Sequence, residues 1–283
     1  MYFSFLGPLT VTSNRSRVYL SGDRGRRLLA ALVVNANCPV STEKLIDIVW
    51  DDQPPITARR QLQNRLGRLR AFLPTDNSTP KIVRQGSNYI LEVPEDHVDG
   101  LHFRRLCAEA ESARQNTRND LAVTLLRRGL SLWRGDALQD VSSSALQADA
   151  IRWQEHRLRA IEHLVELEFT RGNRVNLIHE LQYWVTVHPY HEALHCRLAE
   201  ALHEASRTAE SLAVLRSLRG RLGKDLGITA GVAVTEVERR IHVDGQTASE
   251  YAGIHLDQRA TEALHRALSE TSNALKLLTM ALS

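Results

Sequence analysis

The chain has 283 residues, a length typical of about two domains, and its hydrophobic content of 43% is sufficient for packed cores. The formal net charge is only +3, but residues 1–96 hold 13 Lys and Arg against 9 Asp and Glu, so the positive excess lies in the N-terminal third. No apolar run approaches the ~18 residues of a membrane span, so we expect no membrane partner. Three widely spaced cysteines argue against a disulfide framework, so we expect a cytoplasmic protein.

The N-terminal stretch predicts a small sheet followed by a helix. Residues 2–20 are rich in apolar and aromatic side chains, are broken at Gly7-Pro8, and resume after a turn signal at Ser13-Asn14. The next segment, GDRGRRLLAALVVNAN, has an apolar stripe at helical spacing, formed by Leu28, Leu29, Leu32 and Val33. Cations crowd the first turn of this helix, where they oppose the helix dipole, and this placement favours a nearby phosphate backbone; they are Arg24, Arg26 and Arg27.

Two further helices are predicted on either side of the break DDQPP. The first lies in PVSTEKLIDIVW, is capped by Ser41 or Thr42, and buries Leu45, Ile46, Val49 and Trp50. The second runs from Thr57 to Leu73, with the Thr57 hydroxyl placed to accept a free N–H of the first turn. Two helices joined by a short turn, the second of them basic, are typical of a helix-turn-helix.

The Thr57–Leu73 helix has two chemically distinct faces. Its buried face is predicted from the spacing of Leu62, Leu66, Leu69 and Leu73. The segment holds five arginines and no acidic residue, whereas a solvated helix normally mixes charges because opposite charges four residues apart support it. Its amides can read base edges and its arginines can hold phosphate or guanine, as expected of a recognition helix. The alternative is a basic surface helix without a partner.

A hairpin is predicted after the polar loop that follows Leu73. In PKIVRQGSNYILEV, Ile82 and Val83 lead into a turn at Gln85–Asn88, and a second apolar strand returns. A helix-turn-helix followed by a hairpin makes a winged helix, so we expect a winged helix at the N-terminus and a whole chain that is mainly α with a small β part.

The order of these elements resembles the response-regulator type of winged-helix domain. More narrowly, the chain is similar to the SARP family, the Streptomyces antibiotic regulatory proteins, in the stretches FLGPLTV, GDRGRRLLAALVVNAN, LIDIVW, PPITARRQLQNRLGRLRAFL and YILEV. The resemblance continues in LSLWRGDAL, HPYHEALHCRLAEAL and LRGRLGKDLGI, and covers about residues 1–242. Gly67 and Ser206 depart from the pattern, the latter at a repeat turn where glycine is usual.

The resemblance and the helical spacing together assign candidate DNA contacts. The resemblance to response regulators implies that Gln61, Asn64 and Arg68 read base edges. Side chains nearer the groove walls are expected to meet phosphates, and these are Arg60, Arg65, Arg70 and, from the first helix, Arg26. The wing is expected to reach the adjacent minor groove with Arg84, Ser87 and Asn88.

The rest of the chain is nearly all helical pattern with short breaks. Alternating amphipathic helices predict a tetratricopeptide-like repeat domain, which the resemblance identifies as a bacterial transcriptional activator domain. We therefore expect a winged-helix DNA-binding domain at 1–96, the activator domain at 97–242, a linker at 243–249 and a C-terminal helical segment at 250–283. That last segment either caps the repeats or packs on another copy.

Motifs for other chemistry are weak or missing in the sequence. GxxxxGK[ST] is absent, no Cys lies in a nucleophile motif, and no catalytic set stands out, so an enzyme is the least favoured reading and no cofactor is expected. His188, His191 and His195 are spaced like metal ligands, yet they fall at a repeat boundary, and no metal site is expected. Trp133, Trp153 and Trp184 are predicted to lie in the core of the helical repeats.

These features favour a sequence-specific transcriptional activator, pathway-specific for an antibiotic or other secondary-metabolite gene cluster, as the resemblance implies. Its expected partners are double-stranded promoter DNA carrying repeats, RNA polymerase holoenzyme and a second copy of the chain on DNA. The alternative from another class is a protein-interaction adaptor, in which the helical repeats bind a partner and the winged helix does not bind DNA.

Overall fold

A computed structural model of the chain describes residues 1–13, 16–18, 22–51, 53–73 and 80–244. The contacts divide the chain into two compact units, Met1–Arg171 and Gly172–Ser283. The fold is mainly helical with a small β part, as the sequence predicts. Within the described ranges, every helix is too short or too polar to cross a membrane.

The first unit begins with a three-stranded antiparallel sheet. Its strands are β1 (Tyr2–Ser4), β2 (Thr10–Ser13) and β3 (Ser16–Val18), in that order. The predicted break at Gly7-Pro8 is confirmed by a Gly7 φ of 137°, a conformation that favours glycine. A Cβ at Gly7 would lie 3.0 Å from the Cβ of Arg134, so this turn is also closely packed.

Two helices follow the sheet. α1 (Asp23–Val34) buries the predicted stripe of Leu28, Leu29, Leu32 and Val33. After the short strand β4 (Val40–Ser41), α2 (Thr42–Trp50) begins at Ser41, whose hydroxyl accepts the Lys44 N–H at 3.1 Å. The prediction that Ile46 is buried in α2 is wrong: Ile46 is half-buried, and Ile48 is fully buried instead. Leu45, Ile48 and Val49 fall at i, i+3 and i+4, the spacing of one helix face.

The third helix and the hairpin complete a winged helix. α3 (Ala58–Phe72) buries Leu62, Leu66 and Leu69, as predicted. The wing strands are β5 (Lys81–Gln85) and β6 (Asn88–Glu92), and the sheet order is β4-β6-β5. Gln85 pairs with Asn88, which leaves a two-residue turn in which Gly86 has a φ of 62°. Such a left-handed turn fits the twist of a hairpin.

Three helices continue the first unit. They are α4 (Asp99–Gln115), α5 (Asn119–Leu130) and α6 (Ser144–Thr170), and each packs on the next. The predicted core tryptophans Trp133 and Trp153 are buried among them. Thr117, in the turn between α4 and α5, has a φ of 58°, which is costly for a β-branched residue.

The winged helix and these three helices share one hydrogen-bonded core. The buried carboxylate of Asp99 accepts the backbone N–H groups of Phe5 and Leu6. In return, the backbone N–H groups of Arg134 and Leu138 donate to the carbonyls of Leu6 and Phe5 at 2.8 and 2.9 Å. The ring of Phe5 meets that of Trp153 edge-on, at 5.0 Å between centroids. The winged helix therefore does not stand apart from the helices that follow it, and the functional division at residue 96 stays a prediction.

A second set of contacts joins the end of α2 to the start of α6. Asp51 accepts the backbone N–H and the hydroxyl of Ser144 at 3.3 and 3.2 Å. The same carboxylate forms an ion pair with Arg27 of α1. The first turn of α6, the longest helix among the described residues, is thus tied to the helix-turn-helix.

The second unit consists of helical hairpins. After a 3₁₀ turn at Val175–Leu177 come α7 (Ile178–Val187), α8 (Glu192–Glu204) and α9 (Thr208–Arg221), and α9 ends in a π-helical turn at Leu222–Leu226. Trp184 is buried, as predicted.

A further helical stretch, 232–244, packs on α8 and α9 through a cluster that includes Leu215, Leu218, Val234, Val237 and Ile241. Residues 245–249 of the linker predicted at 243–249 lie outside the described residues, and so does the predicted helical segment at 250–283.

Candidate nucleic-acid interface

The packing of α3 determines which of its side chains face outward. Its leucine stripe lies against α2 and β5, and Leu73 at its end is also buried. At about 100° per residue, the predicted outward stripe follows on the other side of the helix. Asn64 and Arg68 are exposed, while Gln61 and Arg65 are half-buried at the edge of the stripe. The structure therefore brings Gln61, Asn64, Arg65 and Arg68 together on one accessible face.

The first turn of α3 differs from the prediction. Thr57 occupies the N-cap position, but its hydroxyl accepts no backbone N–H. Its φ and ψ of −91° and 12° are not extended, and a capping side chain needs an extended backbone to reach the first turn. Instead, the Thr57 hydroxyl accepts the side-chain amide of Gln61 at 3.0 Å. The N–H of Ala58 donates to the carbonyl of Pro55 at 2.8 Å, and among the described residues no side chain caps the rest of the first turn of α3.

A cluster of positive charge lies beside the outward stripe. The Nε of Arg65 is buried and has no hydrogen-bond partner among the described residues. Burial, together with the charges of Arg24 and Arg68, lowers the pKa of the Arg65 guanidinium. Because like charges repel, this grouping of cations disfavours the charged form of Arg65, and a nearby anion would favour it.

The arginines of α1 differ in their acidic partners. Arg26, predicted as a phosphate contact, forms an ion pair with Asp140, and Arg27 pairs with Asp23 and Asp51. Arg24 has no acidic partner among the described residues, and its guanidinium lies 6.0 Å from the ring centroid of Trp50. The sequence marked all three as basic but did not single out Arg24, since Asp140 and Asp51, which pair with the other two arginines, lie far away in the sequence.

The remaining predicted phosphate contacts on α3 also fall into two kinds. Arg60 is exposed and has no acidic partner in the part of the chain that the structure describes. Arg70 is engaged with the wing: its Nε donates to the carbonyl of Ile82 at 3.0 Å, and its guanidinium lies 5.8 Å from the ring centroid of Tyr89. Arg60 is thus available to an anion, whereas Arg70 stabilises the contact between α3 and the hairpin.

The tip of the wing is exposed and tied at its base to α2. Arg84 is exposed, and its Nε donates to the carbonyl of Gly86 at 3.0 Å. The carbonyl of Ser87 accepts the backbone N–H of Thr42 at 3.0 Å, and the backbone of Asn88 pairs with Ser41. The three predicted wing residues therefore lie together at the tip, on the strands nearest the start of α2.

The histidines at the repeat boundary have structural partners. The ring of His191 caps α8 by accepting the Leu194 N–H at 3.3 Å. His195 is buried; its Nδ1 lies 3.0 Å from the carbonyl of His191 and its Nε2 lies 2.8 Å from a guanidinium nitrogen of Arg221. A carbonyl only accepts, so Nδ1 carries the proton and Nε2 accepts from Arg221. Burial lowers the pKa of His195, which keeps the ring neutral. Across the described ranges, His, Cys, Asp and Glu side chains form no group of three or more that could hold a metal ion.

The described residues thus combine a basic helix face, two exposed amide or guanidinium side chains at its centre and a projecting hairpin. Amide and guanidinium groups make paired hydrogen bonds with base edges, and unpaired arginines attract phosphates. The chemistry suits a polyanion that also presents hydrogen-bonding edges.

Two family models match the chain, each over one of the predicted domains. Residues 17–87 match the model described as "Transcriptional regulatory protein, C terminal". Residues 98–242, slightly more than half of the chain, match the model described as "Bacterial transcriptional activator domain".

Proteins similar in sequence to this chain include several that are named as regulators. The regulatory protein DnrI of Streptomyces peucetius is 30% identical over 249 residues, which cover 85% of this chain and 92% of DnrI. The transcriptional regulator RedD of Streptomyces coelicolor is 31% identical over 247 residues, which cover 85% of this chain and 69% of RedD. Among solved structures, Mycobacterium tuberculosis EmbR in complex with a low-affinity phosphopeptide is similar with a TM-score of 0.78 and 27% identity, over 86% of this chain and 65% of EmbR.

Proposed function

The chain belongs to the SARP family of transcriptional regulators, and from this premise we propose that it is a DNA-binding activator of a secondary-metabolite gene cluster. In this proposal it binds repeated sites near promoters as a homodimer and recruits RNA polymerase holoenzyme. The observation that carries the proposal is the outward face of α3, which holds amides and unpaired arginines and no acidic side chain.

On DNA, α3 would lie in the major groove, as the second helix of a helix-turn-helix does. Gln61, Asn64 and Arg68 would read base edges, because Asn64 and Arg68 lie at the exposed centre of the stripe and Gln61 at its half-buried edge. Arg60, Arg65 and Arg24 would hold the flanking phosphates. Arg26 and Arg70 have partners within the protein, so we assign them a smaller share of the binding than the sequence suggested.

The wing would contact the adjacent minor groove. Arg84, Ser87 and Asn88 lie at the exposed tip of the hairpin. A narrow minor groove concentrates negative potential and attracts arginine in particular. Arg84 would need only to release the carbonyl of Gly86, two residues away in its own turn.

The helical region would bind protein rather than DNA. Residues 97–283 hold 23 Lys and Arg against 24 Asp and Glu, so their net charge does not attract a polyanion. Stacked helical hairpins present extended surfaces of the kind that protein partners use. We therefore assign the contact with RNA polymerase, and the dimer contact, to this region.

The decisive experiment is a selection of duplexes from a random-sequence pool with the full chain, followed by fluorescence anisotropy on recovered and scrambled duplexes. We expect an enriched motif, a preference of at least roughly a thousand-fold over scrambled DNA, and a steep loss of affinity with added salt. Salt-dependent binding without an enriched motif would contradict sequence-specific regulation. Failure to retain any duplex would favour the adaptor alternative.

A further inference from the structure

A cavity in the first unit has no role in the proposed binding of DNA. It measures about 410 Å³ and lies between α4, α5 and α6. This volume is within the range of roughly 300–1,000 Å³ that is typical of sites for small organic ligands. Its deepest walls are apolar and buried, and they come from one residue of each helix: Phe103, Leu126 and Ala160.

The edge of the cavity is positively charged. Arg104 of α4 and Arg159 of α6 both line it and are exposed. Neither has an acidic partner within the described part of the chain. The carboxylate of Glu111, which also lines the cavity, is already bound by Arg114 and Gln115. The charge that remains available to a ligand is therefore that of the two arginines.

The two arginine side chains line the same cavity, one from α4 and one from α6. The ring of His156 lines the cavity beside them, and burial, followed by the charges of Arg159 and Arg104, lowers its pKa. Positive charge from two different helices thus converges at one edge, above an apolar floor. A single anionic group at that edge would be held by both arginines, and charge-assisted bonds of this kind are stronger than neutral ones.

We propose that this cavity binds a small amphipathic organic anion, with an aromatic or aliphatic body in the apolar floor and a carboxylate, sulfonate or phosphate between Arg104 and Arg159. The ligand binds reversibly. Cys107 also lines the cavity, but burial raises the pKa of its thiol to about 11, so it is an apolar wall and not a nucleophile.

The site is connected to the winged helix through two aromatic contacts. His156 lies against the ring of Trp153 at 5.6 Å, and Trp153 in turn contacts Phe5 at 5.0 Å, both measured between ring centroids. A ligand in the cavity therefore touches His156, a side chain two ring contacts away from Phe5 in the core of the winged helix. Binding itself can be measured without DNA, so its test does not depend on the proposed function.

The test uses two fluorescent probes with the full chain. Anilinonaphthalene sulfonate has an aromatic body and one anionic group, and phenylnaphthylamine is its uncharged counterpart. Two variants probe the two parts of the site: Ala108→Phe fills the cavity from an exposed position on α4, and the double variant Arg104→Gln with Arg159→Gln removes the charge. Arg105→Gln is the matched control, since Arg105 is next in sequence and pairs with Glu109 on the surface.

We expect Ala108→Phe to abolish the saturable binding of both probes. The double arginine variant should weaken the affinity for the sulfonate probe by roughly ten-fold or more, because the charge-assisted bonds are lost. The affinity for the uncharged probe should not change. Arg105→Gln should change neither. Near-ultraviolet circular dichroism of the tryptophans checks the fold of each variant, and if Ala108→Phe disturbs it, the surface-exposed double variant decides alone. Unchanged binding of the sulfonate to the double variant, or an equal loss for both probes, would overturn the proposal.

Discussion

The carboxylate of Asp99 accepts the backbone N–H of Phe5 at 2.9 and 3.0 Å, joining the first helix after the wing to a residue 94 positions earlier. Asp99 is only 2% exposed, and it also accepts the N–H groups of Leu6 and Gly100. Burial raises its pKa to about 6, although these hydrogen bonds and the charge of Arg134 act in the opposite direction. A carboxyl group at the centre of the first unit therefore titrates in a mildly acidic range.

The raised pKa of Asp99 predicts a pH-dependent stability. The folded chain binds this proton more tightly than the unfolded chain, whose Asp pKa is about 3.9, so the stabilising effect is complete below about pH 4 and is lost as the pH rises through about 6. The change is on the order of 2–3 kcal/mol. Asp99→Asn should remove this pH dependence. It should also lower the free energy of unfolding by about 1–3 kcal/mol at every pH, because one backbone N–H then faces an amide donor. Urea unfolding between pH 4 and 7 measures both, and identical pH slopes for the two proteins would contradict the assignment.

Base reading and phosphate binding should depend on different residues of α3. Arg68→Ala should cost ~1–3 kcal/mol on the selected site and relax the preference at one or two base pairs, because a bidentate contact is lost. Arg60→Ala should weaken specific and scrambled duplexes alike and lower the salt slope by about one. Anisotropy titrations at several salt concentrations distinguish the two. An unchanged ratio of specific to scrambled affinity in Arg68→Ala would mean that the stripe is assigned wrongly.

Arg24 and Arg26 offer a matched comparison within one helical turn. Arg24→Ala should weaken binding to any duplex and lower the salt slope by about one, because its charge is unpaired. Arg26→Ala should leave the slope nearly unchanged, since Asp140 already neutralises that side chain. The same anisotropy titrations measure both salt slopes. A larger drop in slope for Arg26→Ala than for Arg24→Ala would show that Arg26 exchanges Asp140 for a phosphate on DNA.

The turn between α4 and α5 should be improved by a glycine. Thr117 is exposed and holds a φ of 58°, a left-handed conformation that costs a side chain with a Cβ roughly 1–2 kcal/mol. Thr117→Gly should therefore raise the free energy of unfolding by about 1 kcal/mol, after the added flexibility of the unfolded chain is taken into account. Thr117→Ala is the control, because alanine retains the left-handed penalty. Equal effects of glycine and alanine in urea unfolding would rule out the conformational explanation.

Truncations should separate folding from activation. A chain that ends after Arg171 keeps the whole first unit, so we expect it to bind DNA as the full chain does and to activate transcription poorly in a reconstituted assay. A chain that ends after Glu95 loses Asp99, Asp140 and Trp153, the partners of Phe5, Leu9 and Arg26, and should unfold at a lower temperature. Full activation by the Arg171 truncation would place the contact with RNA polymerase in the first unit.

The local pattern of the sequence was sufficient for the winged helix and for the faces of α3. Leucines at helical spacing select a buried side whichever helix they pack on, so the exposed stripe of Asn64 and Arg68 could be derived without a structure. The spacing could not determine the backbone conformation of a single turn residue. The failure of Thr57 to cap α3 therefore could not be predicted from the sequence.

The partners of the charged residues were beyond the reach of the sequence. Arg26 and Asp140 are 114 residues apart, and nothing in either neighbourhood indicates that they meet. The same holds for Asp99 and Phe5. Long-range pairs of this kind decide which arginines are available to an anion, and they follow only from the way in which α4, α5 and α6 pack on the winged helix.

The length of α6 also has a mechanical consequence. It begins at Ser144, where Asp51 holds its first turn, and continues for 27 residues, or roughly 40 Å at 1.5 Å per residue. A straight rod of that length converts a rotation of about 1° at the anchored end into a displacement of roughly 0.7 Å at Thr170. A rotation of the first turn of α6 that the whole helix followed as a rigid body would therefore reach Thr170 as a larger displacement, and a force on Thr170 would act on the contact with Asp51 through a long arm.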